Sequence, residues 1–213
     1  MVLRIWLPDR PGALGHVASR IGALGADIVG VDVLERSEYV AVDEFDVVLP
    51  RSDLVDLLVR EIEEVDGVSV EEWRIVERFP DPRLDALVSV ESVIAANGIG
   101  ELAAHLVDSV RSEFAADWAA LLQRDSLLGS SGAGLPGVSV LRALATGTAA
   151  SPAVASGAAG PDDLAVAPLA ALDAWLLVGR DGHPFRLRER QQLLALARIA
   201  DRLGALVGGA GIG

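Results

Sequence analysis

The segment from Leu7 to Leu14 is the part of the sequence best suited to binding a small anion. A short apolar stretch, residues 2–7, leads into a Pro11-Gly12 turn, and an amphipathic helix follows. The first backbone N–H groups of a helix lack partners inside the helix, and the helix dipole favours negative charge there. We therefore expect this turn to hold an anionic group such as an amino-acid carboxylate. A second interpretation stays open, in which the Pro-Gly pair only begins a helix.

Other reactive residue types do not form a catalytic or metal-binding pattern in the sequence. The histidines, His16, His105 and His183, lack the spacing of zinc ligands, and the chain has no Cys. The Gly- and Ser-rich residues 130–134 lack the Lys that a phosphate loop usually carries, so they predict a flexible loop. We find no Gly-x-Ser-x-Gly motif and no nucleophile–base pair. We therefore expect a protein that is not an enzyme and uses no metal or cofactor.

The composition and charge of the chain argue against nucleic acids and membranes as partners. The 213 residues carry a net charge of −13, and an acidic chain repels nucleic-acid phosphates. Residues 1–10 do not resemble a secretory signal, and the longest apolar tract, residues 165–178, contains Asp173 and is shorter than a membrane span. We expect a cytoplasmic protein that binds neither nucleic acid nor membranes.

The first 78 residues follow a regular order of strands and helices. Alternation and helical periodicity predict strands at 2–7, 27–35, 39–49 and 68–76, and helices at 11–24 and 54–65. We expect Asp9 to cap the first helix. This β-α-β-β-α-β order predicts a ferredoxin-like antiparallel sheet with both helices on one face. Two prolines in residues 79–83 predict a linker.

The second half, residues 84–207, predicts another α+β domain. Its elements are a helix with Leu84, Leu87, Val88 and Ile94 on one face, a helix at 99–114, strands at 116–123, 164–169 and 174–179, and a final helix at 187–207. Within the Gly-, Ala- and Ser-rich residues 129–160 we expect only a short helix at 138–145. Trp118 and Trp175 are candidates for a pocket wall or for core packing. Residues 208–213 are expected to form a flexible tail.

The turn Asp9-Arg10-Pro11-Gly12-Ala13-Leu14, the segment Gly25-Ala26-Asp27-Ile28 and the element order make residues 1–78 resemble an ACT domain. That resemblance implies an amino-acid ligand held between two copies of the chain. One wall would be Asp9, Arg10, Pro11, Gly12, Ala13 and Leu14 of one copy, and the other would be Ala26, Asp27 and Ile28 of the second copy. ACT domains often have Asn where this chain has Asp9 and Asp27. These carboxylates would repel a ligand carboxylate, or they could attract the ligand's ammonium group.

Residues 84–207 resemble a GAF domain. The similar features are the two leading helices, the strand Asp117–Leu122, the segments Leu141–Gly147 and Val166–Leu169, and the closing strand and helix with Phe185, Arg188, Glu189 and Leu193. The resemblance implies an α/β/α domain with a central antiparallel sheet and dimerisation through the first and last helices. The segment between the first strand and Val138 is short, which predicts a small or closed pocket.

Together these observations predict a non-enzymatic regulatory homodimer that senses an amino acid. In the alternative, both domains only mediate dimerisation and the regulation of a partner.

Overall fold

A computed structural model describes residues 1–210, with side chains described for residues 1–207. Contacts divide the chain into two compact units, Met1–Pro80 and Asp81–Gly213. Each unit contains one four-stranded antiparallel sheet together with helices. The predicted α+β class is therefore confirmed.

The first unit has the ferredoxin-like topology. Its elements are β1 (Val2–Pro8), α1 (Ala13–Ala23), β2 (Asp27–Arg36), β3 (Val40–Val48), α2 (Val55–Glu63) and β4 (Ser69–Arg74). The strands lie in the order β2-β3-β1-β4, and every neighbouring pair is antiparallel. This order leaves β2 and β4 as the two edge strands of the sheet.

The core of the first unit lies between the sheet and the two helices. Val17 and Ile21 of α1 and Leu58 and Ile62 of α2 are fully buried, and they pack with alternate residues of β1 and β3 such as Phe45. Helical spacings of four residues place each pair on one face. Burial of each such side chain contributes about 1.5–3 kcal/mol.

The second unit is a central sheet covered by helices on both faces. Its elements are α3 (Pro82–Ile94), α4 (Ile99–Glu113), β5 (Trp118–Gln123), β6 (Ser126–Gly132), α5 (Val138–Ala149), α6 (Pro152–Ala155), β7 (Leu164–Leu169), β8 (Ala174–Gly179) and α7 (Leu187–Ala210). The strand order is β6-β5-β8-β7. Residues of α3, α4 and α7 form the core on one face, and α5 covers the other face. The predicted α/β/α arrangement with a central antiparallel sheet is confirmed.

Strand β6 corrects the prediction of a flexible loop at residues 130–134. Ser130 and Ser131 lie in this strand, opposite Ala120 and Ala119 of β5. Small polar residues give no strand signal of their own, and pairing with the buried strand β5 overrides their weak propensity. The short helix predicted to end near Gly147 also continues, as α5, to Ala149.

Two further element boundaries differ from the expected ones. Pro82 occupies the first turn of α3, where its missing N–H costs nothing, and the Asp81 side chain accepts a hydrogen bond from the Leu84 amide at 3.1 Å. This helix therefore begins inside the predicted linker. Helix α7 continues to Ala210, so residues 208–210 of the predicted flexible tail are helical, and residues 211–213 lie outside the described part of the chain.

Candidate functional site

The turn formed by residues 9–14, here called the Gly12 turn, leaves the start of α1 open. Gly12 has φ = +92°, a backbone conformation that suits glycine, and a Cβ atom built on it would meet nothing within 4 Å. The Ala13 amide donates to the Arg10 carbonyl at 3.2 Å. Within the described residues, no oxygen accepts from the amides of Leu14 and Gly15. These two amides are therefore free to bind an anion.

Asp9 does not cap α1, which corrects the sequence prediction. The residue that precedes the helix is Gly12, three positions further along, and α1 has no side-chain cap. The Asp9 carboxylate instead accepts a hydrogen bond from Arg36 Nε at 2.6 Å, and this ion pair raises the pKa of Arg36. The Asp9 amide also donates to the Tyr39 carbonyl at 2.9 Å. Because Arg36 offsets the Asp9 charge, the repulsion expected between Asp9 and a ligand carboxylate is reduced.

Asp43 is a carboxylate near the turn that sequence reasoning missed. It lies on β3 opposite Ile5 and Val33, is only 5% exposed, and its Oδ1 atom has no hydrogen-bond partner among the described residues. Burial raises its pKa, the negative charge of Asp9 raises it further, and Arg36 lowers it. An acidic residue among the apolar residues of a buried sheet face is the signal that could have identified it.

The two predicted ligand walls lie at opposite ends of the sheet within one chain. The Gly12 turn follows Pro8, which pairs with Val40 at one end of β3. Asp27 begins β2 and pairs with Val48, at the other end of β3. A single chain therefore does not bring the Gly12 turn together with Ala26, Asp27 and Ile28.

The side chains of the nine predicted site residues differ in how accessible they are. Arg10, Pro11, Gly12, Leu14 and Asp27 are exposed, and Asp9 and Ile28 are partly buried. Ala13 and Ala26 belong to the core of the first unit, so only their backbone atoms are available to a ligand. Arg10 lies 3.6 Å from the carboxylate of Asp66 in an exposed pair that contributes little stability. His16 is exposed on α1.

The second unit contains a cavity of about 600 Å³, here called the Trp118 cavity, on the sheet face that α5 covers. This volume corrects the prediction of a small or closed pocket. Trp118 lies opposite Gly179 on the neighbouring strand, and a Cβ atom at Gly179 would overlap its indole ring. The absence of that Cβ lets the indole lie across the sheet. Trp175 lines a separate cavity of about 210 Å³.

Arg180 borders the Trp118 cavity, but its guanidinium is fully engaged elsewhere. Nη1 and Nη2 each donate to one carboxylate oxygen of Glu189 at 2.8 Å. The remaining three donors bind the carbonyls of His183, Phe114 and Pro184 at 2.7–3.1 Å. All five N–H groups of the guanidinium are therefore used.

The described part of the chain contains neither a candidate metal cluster nor a candidate membrane span. Among the residues that the structure describes, no group of three or more His, Asp or Glu side chains is placed to hold a metal ion. None of the described helices is both long and apolar enough to cross a membrane.

Comparisons with known proteins do not assign a family. No family model matches the chain, and no curated protein matches its sequence. Among solved structures, the chain is similar to the crystal structure of a bacteriophytochrome from the photosynthetic bacterium R. palustris, with 10% identity and a TM-score of 0.42. The match covers 88% of this chain and 43% of the bacteriophytochrome chain, so this chain spans less than half the length of that structure. A similarity at this level assigns neither family nor activity.

Proposed function

We propose that the chain is a non-enzymatic regulatory protein whose first unit binds an amino acid between two copies of the chain. One observation carries this proposal. The free amides of Leu14 and Gly15 lie at the end of the sheet where the long edge strand β2 finishes. Two helix-start amides without acceptors and the end of a strand with one unpaired edge therefore lie near the same end of the first unit, among the residues that the structure describes.

Strand β2 supports the pairing of two copies. It spans ten residues at the sheet edge, and Val29, Val31 and Val33 are 53%, 43% and 49% exposed. Long apolar edge strands pair readily with another strand. Antiparallel pairing of β2 with β2 of a second copy would bring residues 26–28 of that copy to the same end of the combined sheet as the Gly12 turn. The two walls, which lie at opposite ends of the sheet in one chain, would then share one end.

The charges near the turn favour a zwitterionic ligand. The amides of Leu14 and Gly15 would bind the carboxylate, and the Asp43 carboxylate would attract the ammonium group. One Asp43 oxygen has no hydrogen-bond partner among the described residues, and Asp43 is close enough to Asp9 and Arg36 to interact with both charges. A free anion without an ammonium group would not gain this second interaction.

Calorimetry with each of the twenty amino acids and the purified full chain tests the proposal. We expect at least one to bind and to raise the unfolding midpoint, because a ligand that binds only the folded state stabilises it by mass action. Gly12→Val should abolish binding, since valine is strained at this positive φ. Gly22→Ala is the matched control, because a Cβ there meets nothing within 4 Å and its φ is ordinary. Absence of binding by all twenty amino acids at millimolar concentration would contradict the proposal.

The role of β2 is tested separately. Val31→Lys places a charge in the proposed interface, so sedimentation equilibrium should show weaker association and calorimetry should show weaker amino-acid binding. The control is Val140→Lys, at a similarly exposed valine (50%) on α5 of the second unit. Equal effects of the two substitutions would exclude β2 as the interface.

A second candidate function is that of an interaction protein that binds no amino acid. The observation that favours it is the exposed apolar face of α3, where Leu84, Leu87, Val88 and Ile94 are 51%, 67%, 53% and 57% exposed. Only the opposite side of this helix, with Ser89 and Val93, is buried. Under this hypothesis Leu87→Asp should dissociate the dimer into single chains, and Gly12→Val should leave the association of the chains unchanged.

A further inference from the structure

The walls of the Trp118 cavity combine an aromatic and apolar surface with carboxylates. Its apolar lining includes Trp118, Pro136, Leu144 and Leu164. Asp117, Asp163 and Asp181 also line it, and all three are exposed. The volume, about 600 Å³, lies in the range of small-molecule sites.

Ion pairs among the described residues do not offset the negative charge of this cavity. In the described part of the chain, none of Asp117, Asp163 and Asp181 has a basic partner within salt-bridge distance. Asp117 Oδ2 accepts a hydrogen bond from the Asp181 amide at 2.8 Å, and Asp181 Oδ1 accepts from the Gly182 amide at 2.9 Å. These bonds hold two of the carboxylates in place at the cavity without cancelling their charge.

Arg180 is the one basic residue among the described residues that line the cavity, and it does not change this balance. Its charge is paired with Glu189, and its five donors are already used within the second unit. An anionic ligand would therefore meet three carboxylates and no available guanidinium donor. A cation would meet the carboxylates and the indole of Trp118, whose electron-rich face attracts positive charge.

We propose that the Trp118 cavity binds a small organic cation, an alkylammonium or quaternary ammonium compound, against the Trp118 indole with Asp117, Asp163 and Asp181 around it. This site is independent of the amino-acid site proposed for the first unit. The ligands of the two sites differ in chemistry, because a ligand of the Trp118 cavity needs a positive charge and no carboxylate. The two proposals can therefore fail separately.

The test measures binding of choline and agmatine to the full chain by calorimetry. The matched neutral probe is 3,3-dimethyl-1-butanol, which has the shape of choline with carbon in place of the charged nitrogen. We expect at least one cation to bind, and choline to bind about tenfold or more tighter than its neutral analogue. Adenosine monophosphate, an anion that is small enough to enter a cavity of this volume, should not bind there.

Two pairs of variants localise the binding. Trp118→Leu should weaken cation binding about tenfold or more, and Trp175→Leu, at the other cavity of the same sheet face, should not. Asp163→Asn should also weaken it, whereas Asp125→Asn, at the second cavity, should not. Asp163 is exposed, so this variant keeps the test valid if Trp118→Leu fails to fold.

Several outcomes would overturn the proposal. Absence of binding by both cations at millimolar concentration would exclude it, and so would equal affinity for choline and its neutral analogue. Cation binding that is insensitive to both Trp118→Leu and Asp163→Asn would place the site elsewhere. If a basic amino acid binds in the twenty-member panel, Gly12→Val and Asp163→Asn show at which site it binds. Gly12→Val should abolish binding only at the Gly12 turn, and Asp163→Asn should weaken binding only at the Trp118 cavity.

Discussion

Replacement of Asp46 by Asn should stabilise the protein at neutral pH and have little effect in acid. Asp46 lies on β3, opposite Val2 of β1 and Gly30 of β2. Burial, together with the negative charges of Glu44 and Asp32, raises its pKa from the ordinary value of 3.8 to about 6. Its Oδ1 atom has no hydrogen-bond partner among the described residues.

The pKa of Asp46 fixes the sign and the size of the effect. Between pH 3.8 and about 6 the folded protein holds a proton on Asp46 that the unfolded chain has released. The free energy of unfolding therefore falls as the pH rises through this window. The whole of this loss is reached at a pH above the window. A pKa change of this size, from 3.8 to about 6, corresponds to a loss of at most about 3 kcal/mol in the free energy of unfolding. Because the carboxylate is partly exposed and solvent screens it, we expect about 1–2 kcal/mol.

Urea unfolding of both proteins at about pH 7.5 and about pH 3.5 measures this effect. Asp46→Asn should raise the free energy of unfolding at the higher pH and not at the lower one. The control is Asp66→Asn. The Asp66 side chain is 98% exposed, so its replacement should show no such pH dependence of the free energy of unfolding. A stabilisation that is equal at both pH values, or a loss of stability at neutral pH, would show that the ionised Asp46 carboxylate does not destabilise the folded protein.

Three further substitutions test the cores and the turns. Arg180→Met removes both hydrogen bonds to Glu189 within a buried ion pair, and should lower the free energy of unfolding by about 3–5 kcal/mol in urea. Gly132→Ala should cost more than about 2 kcal/mol, because φ is +93° and the added Cβ would collide with the Asp117 carbonyl oxygen; an unchanged midpoint would contradict that geometry. Leu58→Ala should cost about 2–5 kcal/mol by leaving a cavity in the first core, and a loss below about 1 kcal/mol would mean that the site collapses around it.

Where local pattern and tertiary environment agree, the sequence was sufficient to predict the elements. Strands β7 and β8 have the predicted bounds, Leu164–Leu169 and Ala174–Gly179, because continuous apolar residues flanked by turns favour buried strands. Strand β6 was missed because its Gly and Ser residues have no strand propensity and are ordered by pairing with β5. The apolar face of α3 was predicted correctly as a pattern, but periodicity does not tell whether the chain itself covers that face.

The candidate site shows the same division between local and tertiary information. The Pro11-Gly12 turn was identified because its residue types constrain the backbone directly. The opposite positions of this turn and of Asp27 depend on strand order and register, which span distant parts of the chain. Asp43 was missed although strand alternation places it on the same face as Phe45 and Val47, because acidic side chains are rarely buried and the sequence does not show that packing covers this one.

Backbone amide chemical shifts, recorded on the full chain during titration, show whether the Gly12 turn holds the ligand. The ligand is the amino acid that binds most tightly in calorimetry. We predict that the amides of Leu14 and Gly15 shift most, together with those of residues 26–28, with one common affinity. Binding that shifts other amides and leaves Leu14 and Gly15 unchanged would contradict it.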